Sequence, residues 1–442
     1  MAKCIQESFE FPGLKTKTTS RKIEVSFSGG EVTSDGGVML LREMDRNLGL
    51  TEDFAKHLND PRLQVLVDHT SLAMLRQRVY GLCLGYEDLN DQQTLRKDTA
   101  IQTAVGQDCI LASPSTLCRF ENRGDRRTAV LFHQSLVDKF VSSFKSAPTE
   151  LILDFDATDD IVHGNQVGNH FHGYYDNHCF LPLYVFCGDQ LLVSYLRQSN
   201  IDGAKHAWAI AALLVKRLRK EWPTVKIIFR GDSGFCRHRM LDWFERNDVH
   251  YIVGLPGNKC LEKKCQDLII KAKEEFEKTT IKQKLFSETF YAAKTWSKER
   301  RVIVKAEHTS LGANTRYIVS NLEGETKPLY EEVYCGRGEM ENRIKEQQLD
   351  MFADRTSCHE WWPNQFRLLL SSLAYVLMES LRRTILKGTE LAEAQVGTIR
   401  LKILKIGAVV IRNTRRIKLL FSSHYPYQEL FKKVAHQLIG TA

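Results

Sequence analysis

An α/β fold, with a mixed sheet at its centre and helical regions on either side in sequence, is predicted by three observations. Between residues 150 and 256, short apolar runs and 3.6-period segments follow the order β-β-β-α-β-α-β. Residues 66–145 and 361–442 instead carry apolar side chains at helical spacing. Residues 257–330 interrupt the plan with a charged helix and three further strand-like runs.

Composition fits that architecture. The chain has 442 residues, more than one ordinary core accommodates, so two or three domains are expected. Hydrophobic residues make up 43 % and charged residues 26 %, the balance of a globular protein rather than a disordered one. A formal net charge of +8 suits a polyanionic partner without requiring one. Nucleic acid is favoured over membrane, because the chain has no polybasic tail and its start, Met1-Ala-Lys-Cys-Ile, lacks a signal peptide's apolar run. The most apolar segment, Leu368 to Met378, is too short to span a bilayer and reads as a buried helix. The 11 cysteines lie scattered without CxxC pairs, and Cys260 and Cys265 have no partner pair at zinc spacing. Reduced thiols in a cytoplasmic protein are expected.

Taken in order, residues 1–145 form a mostly helical N-terminal region. It opens on the alternating strand Ile23-Glu-Val-Ser-Phe27 and the turn signals Ser28-Gly-Gly and Asp35-Gly-Gly. Leu72, Leu75, Val79, Leu82 and Tyr86 then recur at helical spacing. Ser113-Pro-Ser-Thr starts a helix with capping serines and a first-turn proline. Arg119, Arg123, Arg126 and Arg127 make it the densest basic patch of this third, either a DNA recognition helix or a basic solvated face.

Residues 146–257 hold the first part of the core. Leu151-Ile-Leu-Asp-Phe-Asp156 is an apolar strand running into acids, and Cys179–Cys187 and Leu191–Tyr195 form a hairpin around Gly188-Asp-Gln190. Ala204 to Trp222 is a helix with Trp208, Ile210, Leu213, Leu214 and Leu218 on its apolar face. The strand Val225–Phe229 leads into Arg230-Gly-Asp232, a short helix follows around Met240 to Arg246, and Tyr251–Gly254 is the last strand. A meander followed by two helix-linked strands is the order of an RNase H-like sheet. Residues 258–330 read as a β-rich insertion, 331–360 as the helix that returns to the core, and 361–442 as a helical, basic C-terminal region. In the last, Lys402, Lys405, Arg412, Arg415, Arg416 and Lys418 can line a DNA backbone or form a solvated face.

Chemistry concentrates at three acids. Asp156 and Asp232 terminate strands, where open α/β sheets place functional side chains. Glu341 sits on the helix after the insertion, on a stripe with Tyr334, Arg337, Lys345 and Gln348 at offsets 0, 3, 7, 11 and 14. Two strand-end aspartates and a helix glutamate can hold two Mg²⁺ ions about 3.5–4 Å apart, one activating a water or 3′-hydroxyl and the other stabilising the leaving oxygen. Arg and Lys beside them suit phosphate oxygens. Asp154, Asp159 and Asp160 crowd Asp156, and Asp154 lies on the same side of the strand, so the residues alone leave the choice among them open.

A resemblance bears on that choice. Leu75-Arg-Gln-Arg-Val79, Gly85-Tyr-Glu-Asp-Leu-Asn-Asp91, Leu95-Arg-Lys-Asp98 and Ser115-Thr-Leu-Cys-Arg-Phe-Glu-Asn122 mark the N-terminal third. Asp154-Phe-Asp-Ala-Thr158, His163-Gly-Asn-Gln166, Arg230-Gly-Asp-Ser-Gly-Phe235, Tyr334-x-x-Arg337-Gly-x-x-Glu341 and Asn364-Gln-Phe-Arg-Leu368 continue it. With these the chain resembles, over nearly its whole length, bacterial insertion-sequence transposases of the Asp-Asp-Glu superfamily that carry a β-rich insertion before the glutamate helix. The resemblance implies Asp156, Asp232 and Glu341 as catalytic metal ligands, with Mg²⁺ as cofactor and Mn²⁺ able to substitute. It implies that Tyr334 and Arg337 contact DNA; Lys345 and Gln348 on the same stripe are read as further phosphate or DNA-backbone contacts, and Arg119 and Arg123 of the basic patch as contacts to the element ends. Gln348 stands where relatives carry lysine, and Lys345, one turn away, is the alternative for that charge. The implied activity is binding of terminal inverted repeats, cleavage of double-stranded DNA and joining of 3′ ends to target DNA by a homodimer in a synaptic complex. The rivals are a nuclease that cuts without joining and a domesticated DNA-binding protein without catalysis.

Other motifs carry less. His163, His170, His172 and His178 lack a matching ligand pair for zinc and read as a polar or substrate-positioning loop. Gly254-Leu-Pro-Gly257 lacks the Lys-Ser/Thr of a nucleotide cradle, so no nucleotide cofactor is expected. Trp296 is either a base-stacking residue or a core tryptophan.

Overall fold

The structure, a computed structural model, describes residues 8–15 and 17–440. The chain divides into two compact units, one of residues 1–56, 60–120 and 377–442, the other of residues 57–59 and 121–376.

The second unit is built on a nine-stranded mixed sheet. Its strands are β1 (Glu150–Ala157), β2 (Leu183–Cys187), β3 (Gln190–Tyr195), β4 (Lys226–Gly231), β5 (His250–Leu255), β6 (Gln283–Tyr291), β7 (Arg300–Thr309) and β8 (Arg316–Ser320), with Gly312–Ala313 pairing the end of β7. Across the sheet the order is β6-β7-β8-β5-β4-β1-β2-β3. The run β3-β2-β1-β4-β5 is the RNase H-like core: an antiparallel meander, then β4 parallel to β1 and β5 parallel to β4. The insertion continues this sheet, because β8 pairs antiparallel with β5 and carries β7 and β6 beyond it.

Alternation along β1 separates the two faces. Leu151, Leu153 and Phe155 enter one core with Ile227 and Phe229 of β4 and Tyr251 and Val253 of β5. Helices α1 (Arg126–Ser142), α2 (Ala207–Glu221) and α3 (His238–Arg246) cover that face through Phe140, Leu214, Leu218 and Phe244. Asp154 and Asp156 alternate to the other face, where Ile228, Ile252 and Ile318 pack beneath Leu329 and Tyr330. In the insertion, Leu261 and Cys265 lie with Val302, Val304 and Tyr317, and Leu268 and Ile269 of α4 (Gln266–Thr279) pack against them.

Several elements differ from the sequence reading in instructive ways. The buried stripe of α2 is Ala207, Ala211, Leu214, Val215 and Leu218, while Trp208 and Leu213 face outward at 50 % and 68 % exposure. The two alanines present the flatter face to the sheet, so the larger apolar side chains on the neighbouring stripe stay out. The strand expected at Cys179–Cys187 is divided at Leu181-Pro182; Asn177–Phe180 joins Asp160–Ile161 and His170–His172 in a separate three-stranded sheet. Proline has no N–H for a ladder bond, which is where the strand stops. Trp296 lies against Tyr291 and under the Arg300 guanidinium, packed on the core.

In the first unit, helices Val38–Leu48, Leu50–Ala55 and Ser71–Cys83 gather around buried Asp45. Its carboxylate accepts the Thr51 N–H at 2.8 Å and the Tyr80 hydroxyl at 2.6 Å, and Arg76 lies 3.4 Å away. The C-terminal part of this unit also carries the hairpin Ala408–Asn413/Arg416–Phe421, which pairs with Val32–Thr33. Lys405 is committed inside the unit, 2.8 Å from buried Asp35 and over the Tyr86 ring. A second hairpin, Ser8–Lys15/Ser20–Ser26, lies at the start of the unit. Every described cysteine is a free thiol, and among the described residues no helix is long and apolar enough to cross a membrane.

Arg300 braces the insertion to the core. Its guanidinium, nearly fully buried, reaches Asp242 at 2.6 Å and Glu245 at 2.8 Å on α3. Arg300→Met strands both acids and should cost about 2–3 kcal/mol in urea denaturation, less than a fully buried pair because Asp242 keeps some water. Both carboxyls titrate below their ordinary values: Asp242 through its Ser297 and Arg300 bonds, Glu245 because Arg300, Tyr251 and Lys298 outweigh its burial. The brace therefore acts above the ordinary carboxylate range and fades as pH falls below it. The stability gap between wild type and variant should shrink on acidification below about pH 4.

Candidate active site

Three segments meet on the acidic face of the sheet. Asp156 is the penultimate residue of β1. Asp232 follows β4 directly and caps the turn Ser233–Phe235, its side chain accepting the Gly234 N–H at 2.9 Å. Glu341 lies on α5 (Arg337–Met351). All three line one cavity of about 590 Å³, with Arg337, Lys345 and Gln348 from α5. His172, Tyr174 and Tyr175 form another part of its wall.

The guanidinium of Arg337 lies between two of the acids, 2.7 Å from Glu341 and 3.4 Å from Asp156. Burial pushes the Asp156 carboxyl up to about 7; Arg337 opposes the rise, and Asp232 and Glu341 add to it. Burial pulls Arg337 down, but Asp156 and Glu341 outweigh it and hold it above its ordinary value. Burial also raises the Tyr334 phenol, with Arg337 opposing and Asp232 adding. As the side chains stand, no group of three His, Cys, Asp or Glu among the described residues is arranged to hold a metal ion. A cation nonetheless already occupies the space between Asp156 and Glu341, and three carboxylates are hard oxygen donors suited to Mg²⁺.

The carboxylates of two neighbouring acids are otherwise engaged. Asp154 forms a bidentate ion pair with Arg230, buried on both sides and 2.6 Å at its Nη2 arm. Asp160 is buried and accepts the Thr356 hydroxyl at 2.9 Å. The Asp159 carbonyl accepts the Gln348 amide at 3.0 Å.

Arg230 also donates to the Val333 carbonyl, just ahead of α5. The segment Leu329–Tyr334 is a π-helical turn, with Cys335 N–H bonded to the Tyr330 carbonyl, and α5 begins only at Arg337. Tyr334 therefore leaves the continuous stripe expected from 3.6-residue spacing, whereas Arg337, Glu341, Lys345 and Gln348 keep it. Two glycines permit this crowding. A Cβ on Gly336 would lie 2.7 Å from the Arg230 guanidinium, and one on Gly254 would meet the Tyr334 hydroxyl and the Ser233 N–H, each at 2.7 Å.

Arg119 and Arg123 stand outside the cavity lining. Arg119 is exposed and donates to Thr116 one turn back at 3.2 Å; Arg123 lies in the turn before α1. Sequence reasoning quoted Arg230 in a motif without giving it a role. The signal was present: period-two alternation puts Ile228 and Arg230 on one face of β4, and the parallel register sets Arg230 opposite Asp154.

The family model of the transposase DDE domain, group 1, matches residues 15–441. The chain belongs to this family. It is thus, at the general level, a DNA transposase, and divalent metal ions are the general cofactors of DDE transposases. No curated protein matches it. Among solved structures, the cryo-EM structure of a piggyBac transposase synaptic complex with hairpin DNA is similar at a TM-score of 0.41 and 10 % identity, covering 84 % of this chain and 79 % of that one.

Asparagine substitutions separate the two aspartates of β1. Asp154→Asn leaves the Arg230 charge buried without its partner and should cost about 3–5 kcal/mol, read as a lower melting temperature. Asp156→Asn should act oppositely at pH 8. A carboxyl raised to about 7 costs folding stability when ionised; that cost is full above 7 and gone below the ordinary 3.8. The variant should melt higher than wild type at pH 8, with the gain disappearing toward about pH 4.

Proposed function

We propose that this transposase binds the terminal inverted repeats of an insertion sequence, cuts the DNA at the element ends and joins the freed 3′ ends to target DNA. The observation that carries the reading is the convergence of Asp156, Asp232 and Glu341 in one cavity that also holds Arg337 and Lys345. Carboxylates and cations side by side suit a phosphodiester, whose bridging oxygens must be activated while its non-bridging oxygens are held.

In this reading Asp156, Asp232 and Glu341 hold Mg²⁺, or Mn²⁺ in its place. The bound ions supply activation of the attacking water or 3′-hydroxyl and stabilisation of the leaving 3′-oxygen. Arg337 changes partners: its guanidinium leaves the carboxylates and takes the non-bridging phosphate oxygens, for which its fork is shaped. Lys345 contributes a second positive charge to the cavity. Gln348, tied to the Asp159 carbonyl, positions the exit of β1, and Tyr334 packs beside Asp232. The same displacement serves both steps, first with water and then with the 3′-hydroxyl as nucleophile. No covalent protein intermediate is needed.

The test is incubation of purified protein with Mg²⁺, duplexes carrying the repeats that bracket the gene, and a target plasmid. Cleavage and strand joining are expected, and alanine at Asp156, Asp232 or Glu341 should lower both by at least about 10²–10³-fold. Cleavage without joining would instead identify a nuclease, and binding without cleavage a DNA-binding protein that has lost catalysis. Unchanged cleavage in any of the three variants would remove that acid from the site.

Competition between Arg337 and the metal has its own readout. Arg337→Gln should tighten Mg²⁺ binding about tenfold in calorimetry without DNA, since a unit charge a few ångströms away is removed. Cleavage should fall in the same variant. Equal or weaker Mg²⁺ binding would show that the guanidinium does not compete.

A further inference from the structure

We propose that the N-terminal hairpin is an exchange arm that docks on a second copy of this chain. Strands Ser8–Lys15 and Ser20–Ser26 are exposed at every position. Their register is strongly one-sided: Phe9 faces Val25 and Phe11 faces Ile23, while Glu10 and Glu24 pair on the opposite side. Phe27, 88 % exposed, continues the Ile23–Val25 row. One face is thus largely apolar and the other polar, with Lys22 3.6 Å from Glu10, the pattern of a hairpin built to lie on something. A two-stranded hairpin alone is marginally stable in water, and among the described residues nothing covers this one.

The same unit carries an unpartnered receiving surface. In the sheet formed by Val32–Thr33, Ala408–Asn413 and Arg416–Phe421, Val409 pairs with Val32 on one side and Leu420 on the other. Ala408, Val410 and Phe421 point inward, the last onto Phe431. Val32, Val409, Ile411 and Leu420 point outward and are exposed. This chain therefore displays two exposed apolar rows, one on an arm and one on a sheet where Lys418 lies opposite Ile411, and among the described residues neither is covered.

Area favours a second copy as the occupant. Side chains of this size give the hairpin face on the order of 500 Å² to bury. An equal area on the receiving face, counted for two reciprocal arms, totals roughly 2,000 Å², enough for a stable dimer. Exchange also makes both contacts identical by two-fold symmetry, so the assembly closes at two chains.

Two exposed substitutions test this in the full-length protein without DNA, with molecular mass read by light scattering. Wild type should have the mass of two chains. Val25→Glu places a negative charge on the arm and Ile411→Lys a positive one on the receiving face; each variant alone should have the mass of one chain with an unchanged circular dichroism spectrum. An equimolar mixture of the two variants should return to two chains. In that pair the acidic arm of one variant meets the basic face of the other, while the second contact is wild type on both sides. A monomeric wild type, a variant that stays dimeric, a mass above two chains, or a mixture that stays monomeric would each overturn the proposal. A monomeric wild type would mean that the arm folds onto its own chain or serves another partner.

Discussion

The acidic face of the second unit's sheet depends on one guanidinium. Arg230 clamps Asp154 on the neighbouring strand and takes the Val333 carbonyl at the end of the π turn. Asp154 lies two positions before Asp156, Arg230 two before Asp232, and Val333 eight before Glu341. The clamp thus fixes the spacing of the three segments that carry the acids without occupying the cavity. It is stable there because both Asp154 oxygens are used and the carbonyl takes a further donor, which answers most of the desolvation of a buried Arg. Gly336 is part of the same constraint, since any side chain there would displace the guanidinium.

Gathering Asp156, Asp232 and Glu341 on one wall is electrostatically unfavourable, and the structure shows how the cost is contained. Asp156 is the more buried member and its proton affinity is raised, whereas Glu341 is half-exposed. Arg337 neutralises part of the remaining charge by lying between them. A site whose own cation holds its carboxylates apart can fold before any ion arrives. In the proposed function it would exchange a tethered guanidinium for a divalent ion, which would free the guanidinium for phosphate. This is why π-helical winding before α5 matters: it sets where the first turn of α5, and hence Arg337, begins.

Much of this was legible in the sequence, for reasons that can be stated. Alternation in Leu151–Asp156 and the hairpin signal at Gly188 are local patterns, and the RNase H-like order follows from them. The co-facing of Arg337, Glu341, Lys345 and Gln348 is likewise a property of helical spacing. What stayed illegible depends on long-range packing. Asp154 and Asp156 share a face, and only the Arg230 partner across the sheet distinguishes them. Trp208 and Leu213 have core chemistry, yet the stripe of Ala207, Ala211, Leu214, Val215 and Leu218 beside them is what the sheet buries. The π turn that detaches Tyr334 has no signature in residue spacing.

Gln348, standing where the resemblance implies a lysine, is best understood through that helix. Its amide donates to the Asp159 carbonyl, so the residue links α5 to the chain just past Asp156. A lysine there would offer a longer, charged side chain and would satisfy the same carbonyl only by withdrawing its ammonium from the cavity. With glutamine, position and charge are assigned to different residues. Gln348 tethers, while Lys345, almost one turn earlier on the same wall, carries the positive charge. The cavity therefore keeps two cationic side chains, Arg337 and Lys345, beside its three acids. In the proposed reaction the departure relocates the phosphate-holding charge along α5 without removing it.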